Sequence, residues 1–139
     1  MHLISQFEGE VDVFKQYGVS NLMDHMFLAT HPDYYRIGIG LQTVAATAKL
    51  AEALHKGEDV LVPISEDKYP WKKIPAPRSE IVIALFTSPK SQKIGSKLGW
   101  EETSVVSYED LFYEGKSYAS RLDKSNNCSV FMVTKVNGK

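Results

Sequence analysis

Two glycines one residue apart, Gly38 and Gly40, stand beside Arg36 and just ahead of an alanine-rich stretch. A glycine has no Cβ, so the backbone amides around it can approach a ligand closely. The first turn of a following helix adds unpaired N–H groups and a partial positive charge. Arg36 adds a planar, fork-shaped cation. Together these make an anion site suited to phosphate. A tight structural turn would use the same glycines, and the residues alone leave both readings open. Two nucleotide patterns are absent. The dinucleotide pattern G-x-G-x-x-G needs a glycine where Thr43 stands, and the nucleotide loop G-x-x-x-x-G-K-S/T occurs nowhere.

Other reactive side chains are scattered. His2, His25, His31 and His55 show no metal-ligand spacing, and Cys128 stands alone, so no metal is expected. His25 reads either as a member of a proton relay or as a partly buried structural histidine. His31 reads as ordering the turn before Pro32. Tyr69 and Trp71 interleave with Lys72, Lys73 and Arg78. That pattern fits a nucleic-acid patch, a loop packing its aromatics on the domain, or a lid.

The elements that must position these residues follow from periodicity. Phe7, Val11, Phe14 and Gly18 fall at helical spacing, with Glu8, Glu10 and Asp12 early, so 7–17 is expected to be helical. The mostly apolar run 23–30 reads as a buried strand. Leu41, Val44, Ala45, Ala48 and Ala51 recur at helical spacing before His55-Lys56-Gly57, giving a helix over 40–56. Residues 58–79 hold Pro63, Pro70, Pro75 and Pro77 and form a surface excursion. The run 81–86 is a fully buried type of strand. Ser88-Pro89 opens a short helix that Gly99 stops. Strands at 103–108 and 129–136 then pair antiparallel, with Val130, Met132, Thr134 and Val136 on one face. The order is helix, strand, helix, strand, helix, strand, strand. Two strand–helix–strand units imply locally parallel pairing in an α/β fold with a mixed sheet.

The chain has 139 residues, a net charge of −1 and 43% hydrophobic residues, the profile of one ordinary globular domain. Near-neutral charge gives no whole-chain footprint for a nucleic-acid or anionic-membrane partner, and neither partner is expected. No run approaches the roughly 20 apolar residues of a membrane span. The first eight residues lack the basic and apolar regions of a signal peptide. One cysteine cannot form an intrachain disulfide, so a reducing, cytoplasmic compartment is expected.

The run from Leu28 to Leu41, with Tyr35-Arg36-Ile37-Gly38-Ile39-Gly40 inside it, resembles motif A of the GNAT superfamily of N-acetyltransferases, which reads Q/R-x-x-G-x-G/A. The stretch from Phe86 to Trp100, closing Lys97-Leu98-Gly99-Trp100, is similar to the family's motif B, which typically ends K-L-G-F. Ser107-Tyr108-Glu109-Asp110-Leu111 and the closing run 131–136 resemble the insect arylalkylamine branch, which includes dopamine N-acetyltransferases. The resemblance covers roughly residues 7–136.

The resemblance implies a partial GNAT fold, with central strands parallel and C-terminal strands antiparallel. It implies an enzyme that acetylates a small primary amine such as dopamine, serotonin or tryptamine, with acetyl-CoA as co-substrate. Backbone groups of Leu28 and Thr30 would pair with the pantetheine arm. The backbone N–H groups of Arg36, Ile37, Gly38, Ile39 and Gly40 would hold the pyrophosphate. Thr87 and Ser91 match two serines assigned catalytic roles in the insect branch, and they share one face if both are helical. As bland alternatives, Thr87 ends a strand and Ser91 caps a helix.

Three departures stand out. Tyr35 replaces the first Gln or Arg of motif A, which leaves a hydrogen-bond donor but no charge. Gly95 aligns with the tyrosine that often protonates the leaving thiolate. The family's first strands, its acidic base and one wall of the amine pocket have no counterpart before residue 7. Residues 1–139 are therefore expected to be a single, N-terminally truncated acetyltransferase domain with the proline-rich excursion at 58–79. The competing expectation is a non-catalytic acetyl-CoA-binding fragment. An uncovered edge strand at Met26-Phe27-Leu28-Ala29 would favour self-association.

Overall fold

The computed structural model describes residues 12–58 and 78–136. A first helix, α1 (Val13–Tyr17), starts at Asp12, whose side chain accepts the Lys15 N–H at 3.1 Å. The earlier part of the expected 7–17 helix lies outside the described residues, as do Glu8, Glu10, most of the proline-rich excursion, Tyr69 and Trp71. Strand β1 (Leu22–Asp24) follows, then a 3-10 turn over Pro32–Tyr34. Helix α2 (Ile39–His55) is rich in alanine, the best helix former. Strand β2 (Ile81–Phe86) leads into α3 (Pro89–Lys97), where Ser88 caps and proline takes the first helical position as expected. Strand β3 (Glu101–Ser107), a hairpin of β4 (Phe112–Tyr113) with β5 (Lys116–Ser117), and β6 (Cys128–Lys135) complete the order.

The main sheet runs β1-β2-β6-β3. β1 and β2 are parallel, and β6 is antiparallel to both β2 and β3. This corrects the expected parallel pairing of the second strand–helix–strand unit, because β6 inserts between β2 and β3. Burial explains the choice. β6 buries Val130 and Met132 on one face and Ser129 and Val133 on the other, whereas β3 exposes Glu101, Glu102 and Val105. A strand apolar on both faces belongs in the middle of a sheet, and a half-polar one suits an edge.

Each sheet face has its own core. Val82, Ala84, Phe86, Val130 and Met132 pack against Val44 and Ala51 of α2 and against Trp100. The Phe86 and Trp100 rings lie 5.9 Å apart at 58°. On the opposite face Ile81, Ile83 and Val133 bury Val13 of α1. The buried strand expected over 23–30 is shorter than its apolar run. Pairing stops after Asp24, and Met26 and Phe27 are 55% and 85% exposed. The β4–β5 hairpin was not foreseen. Its signal is Glu114-Gly115 between two short runs, both with positive φ (51° and 72°), the backbone of a two-residue hairpin turn.

Candidate functional site

The parallel pair β1–β2 does not run its full length. Leu22, Met23 and Asp24 face Ile81, Val82 and Ile83. The last backbone bond across the pair is His25 N–H to the Ile83 carbonyl, 2.9 Å. Beyond it β2 continues through Ala84, Leu85 and Phe86, still paired with β6 on its other side. Residues 26–30 have left that ladder. Two parallel strands that part in this way form a cleft whose walls carry unpaired backbone donors and acceptors. An extended ligand with amide groups can pair with such walls as an added strand does.

Leu28 holds one wall in place. Its side chain packs on the main core and would lie 3.8 Å from a Cβ at Gly40. The same Cβ would lie 3.2 Å from Ile94 Cδ1 of α3, so glycine at 40 lets the start of α2 sit against both neighbours. Thr30 is half-buried further along the wall.

The loop ahead of α2 comes next. His31 Nδ1 accepts the Asp33 N–H at 3.4 Å and caps the 3-10 turn, the ordering role expected of it. Arg36 then takes φ 66°, a left-handed conformation uncommon for a residue with a Cβ. Gly38 takes φ 88°, ψ 4° and is the N-cap of α2, with no side chain to cap the helix. The first-turn N–H groups of a 17-residue helix are thus left for a ligand. Arg36, Ile37, Gly38 and Ile39 are all exposed, and Gly40 is half-buried. The left-handed backbone at Arg36 and Gly38, the uncapped helix start and the cationic side chain fit an anionic phosphate group.

Of Thr87 and Ser91, only Ser91 lies in α3. Thr87 is exposed and lies before α3, so the two do not share a helix face. Ser91 is the third residue of α3 and half of a capping box. Its hydroxyl donates to the Ser88 carbonyl at 2.9 Å and accepts the Ser88 N–H at 3.2 Å, while Ser88 Oγ accepts the Ser91 N–H at 3.3 Å. Thr87 follows the strand, is exposed, and its carbonyl accepts the Tyr108 hydroxyl at 2.7 Å.

Two neighbours of this corner were not singled out by sequence reasoning. Gln92 donates to the Cys128 carbonyl at 2.9 Å and, more weakly, to that of Phe86 at 3.4 Å. Tyr108 is 2% exposed. Burial pushes its hydroxyl above the usual phenol range. Gly95 faces the sheet. A Cβ there would press on Met132 Sδ and on the Phe86 ring, so the space a tyrosine would need is filled by core. His25 bonds Thr47 of α2 through Nδ1 at 2.9 Å, and its buried Nε2 has no hydrogen-bond partner. Among the described residues no group of three His, Cys, Asp or Glu side chains could hold a metal ion, and no helix is long and apolar enough to cross a membrane.

Solved structures share this architecture. Arylalkylamine N-acetyltransferase 2 from Aedes aegypti matches with TM-score 0.71 and 17% identity, over 98% of this chain and 52% of that one. The fold is that of the GNAT acetyltransferases. Mosquito arylalkylamine N-acetyltransferase like 5b matches with TM-score 0.70 and 22% identity over 96% of this chain and 52% of its own. A Drosophila melanogaster polyamine N-acetyltransferase, which forms N-acetylagmatine, matches with TM-score 0.70 and 17% identity over 96% and 53%. The chain therefore spans about half the length of these acetyltransferases. No family model and no curated protein sequence matches it. The expected mixed sheet is present, with a parallel β1–β2 pair and antiparallel C-terminal strands, in the fold shared with these acetyltransferases.

Proposed function

We propose that residues 1–139 form a partial acetyltransferase domain that binds acetyl-CoA and transfers its acetyl group to a small primary amine, an arylalkylamine such as dopamine, serotonin or tryptamine. The observation that carries this reading is the parting of β1 and β2 after Asp24, with the left-handed Arg36–Gly38 turn leading into an uncapped α2. In this reading Leu28 and Thr30 pair with the pantetheine amides. The N–H groups of 36–40 hold the pyrophosphate, and Thr87 and Ser91 stand at the thioester end. A single half-buried free cysteine is in keeping with a reducing, cytoplasmic setting.

The chemistry is a direct transfer. The neutral amine nitrogen attacks the thioester carbonyl, the tetrahedral intermediate collapses, the C–S bond breaks and the thiolate takes a proton. A backbone N–H on the cleft wall would stabilise the oxyanion. An alkylamine has a pKa near that of lysine, about 10.4, so a base must first remove its proton. Gly95 cannot supply the acid, which leaves that role to Thr87, Ser91 or water.

A second reading is a binding module without turnover. It is favoured by the chain spanning about half of its structural neighbours. Calorimetry with CoA, run beside turnover of acetyl-CoA with tryptamine, serotonin and dopamine, separates the two. Binding with turnover supports the enzyme, and binding alone supports the module. Gly38→Val forces a β-branched residue into φ 88° where nothing crowds it. A left-handed conformation costs such a residue about 1–2 kcal/mol; a folded variant relieves that strain by moving the turn out of it, and recovering the turn on binding should lower CoA affinity roughly tenfold. Unchanged affinity would remove the phosphate assignment.

A further inference from the structure

The β2–β6 ladder ends at Phe86↔Val130, and the Thr87 carbonyl lies just past the end of β2. A backbone carbonyl at a half-closed corner needs a donor. The donor comes from far along the chain. Tyr108, just past the end of β3, gives its hydroxyl hydrogen to Thr87 O at 2.7 Å. Tyr108 is itself held in three ways, by its ring and by both of its backbone groups. Its ring stacks on Tyr118 with centroids 6.4 Å apart, its N–H donates to the Asn127 carbonyl, and its own carbonyl accepts the Ala119 N–H, both at 2.9 Å. A buried hydroxyl spent on a backbone carbonyl is a rigid tie across 21 residues of sequence. The adjoining Gln92 amide braces the same corner by holding the Cys128 carbonyl. The corner so braced is one wall of the cleft, and the Thr87 side chain it carries is exposed.

We propose that Tyr108 is a positioning residue: through its hydrogen bond to the Thr87 carbonyl it sets the β2–α3 wall of the cleft at the geometry that receives the thiol end of CoA. The proposal rests on the acetyltransferase reading. It predicts that the hydroxyl matters to the ligand as well as to stability.

The test is Tyr108→Phe, which keeps the ring stack and removes only the donor, with CoA affinity read by calorimetry well below the unfolding temperature. Tyr17→Phe is the matched control. Tyr17 Oη and Thr103 Oγ1 share a hydrogen bond of 2.9 Å, on the α1 side of the sheet and away from the cleft. Tyr108→Phe should weaken CoA binding about three- to tenfold, and Tyr17→Phe should change it less than about twofold. A folded Tyr108→Phe that binds CoA as wild type does would overturn the proposal, as would equal losses in both variants. A measurement on the unaltered chain covers the case in which the variant does not fold. The buried, hydrogen-bonded Tyr108 hydroxyl proton should shift in the NMR spectrum on adding CoA while that of Tyr17 stays, and an unmoved Tyr108 signal would overturn the proposal. Wild-type protein that binds no CoA would sink the acetyltransferase reading and this inference together. CoA binding that is indifferent to Tyr108 sinks only the inference.

Discussion

Gly95→Ala pits two effects of opposite sign against each other. On helix propensity alone the change should stabilise α3 by about 1 kcal/mol, since glycine is that much worse than alanine in a helix interior. Packing opposes it. Gly95 is buried, and a Cβ on its backbone would come closer than van der Waals contact to Met132 Sδ and to the Phe86 ring. Met132 is 0% and Phe86 3% exposed, and the Phe86 ring is backed by Trp100, so neither side chain has an open direction in which to retreat. Overpacking of this kind costs about 1–3 kcal/mol. Because both contacts fall well inside van der Waals distance, the upper part of that range applies, about 2–3 kcal/mol, and the net expectation is a loss of about 1–2 kcal/mol. For a chain of this size that is a fall in Tm of roughly 3–10 °C, read by circular dichroism and checked by urea titration. Making room should relieve it. Met132→Ala alone should cost about 2–5 kcal/mol through its cavity, and adding Gly95→Ala in that background should cost less than in wild type or recover part of the loss. A Gly95→Ala protein with an unchanged or raised Tm would refute the reasoning, because only propensity would then be acting. The same geometry predicts that Gly95→Tyr does not fold, so a tyrosine acid cannot be restored at this position.

Three further expectations concern the corner, metals and pH. Ser91→Ala should lose about 0.5–2 kcal/mol of stability with the capping box, whereas Thr87→Ala, at an exposed site, should leave stability within about 0.5 kcal/mol; turnover equal to wild type in both would remove them from the chemistry. Chelation should leave CoA binding unchanged in calorimetry, because the histidines and the lone cysteine have no ligand spacing; loss on chelation that zinc restores would contradict this. The Asp12 carboxylate is held below its ordinary 3.8, chiefly by the Lys15 N–H. A depressed carboxylate stabilises the fold above its unfolded pKa and loses that contribution as pH falls through the folded value. Amide exchange at Lys15 should therefore report fraying of α1 below about pH 4, and an Asp12→Asn variant should show no such step.

Several features were legible in the residues themselves because local physics fixes them. Ser88-Pro89 starts α3 and the alanine density makes α2, since capping, proline's fixed φ and propensity act within a few residues. The alternating set Val130, Met132, Thr134 and Val136 was legible too, since alternation is a property of the strand alone; Val130 and Met132 enter the core, and Val136, just past β6, packs against it. The glycines at 38 and 40 marked the turn into α2, though spacing could not tell a ligand cradle from a bare turn. Only the tertiary structure put β6 between β2 and β3, because strand order depends on which strand can bury both faces. Nor could the sequence end β1 at Asp24: the apolar run continues through Phe27, and the parting from β2 shows only where pairing stops. The tie from Tyr108 to Thr87 and the wall that Met132 and Phe86 raise against Gly95 join residues distant in the chain. Such contacts are made by packing, and no local pattern announces them.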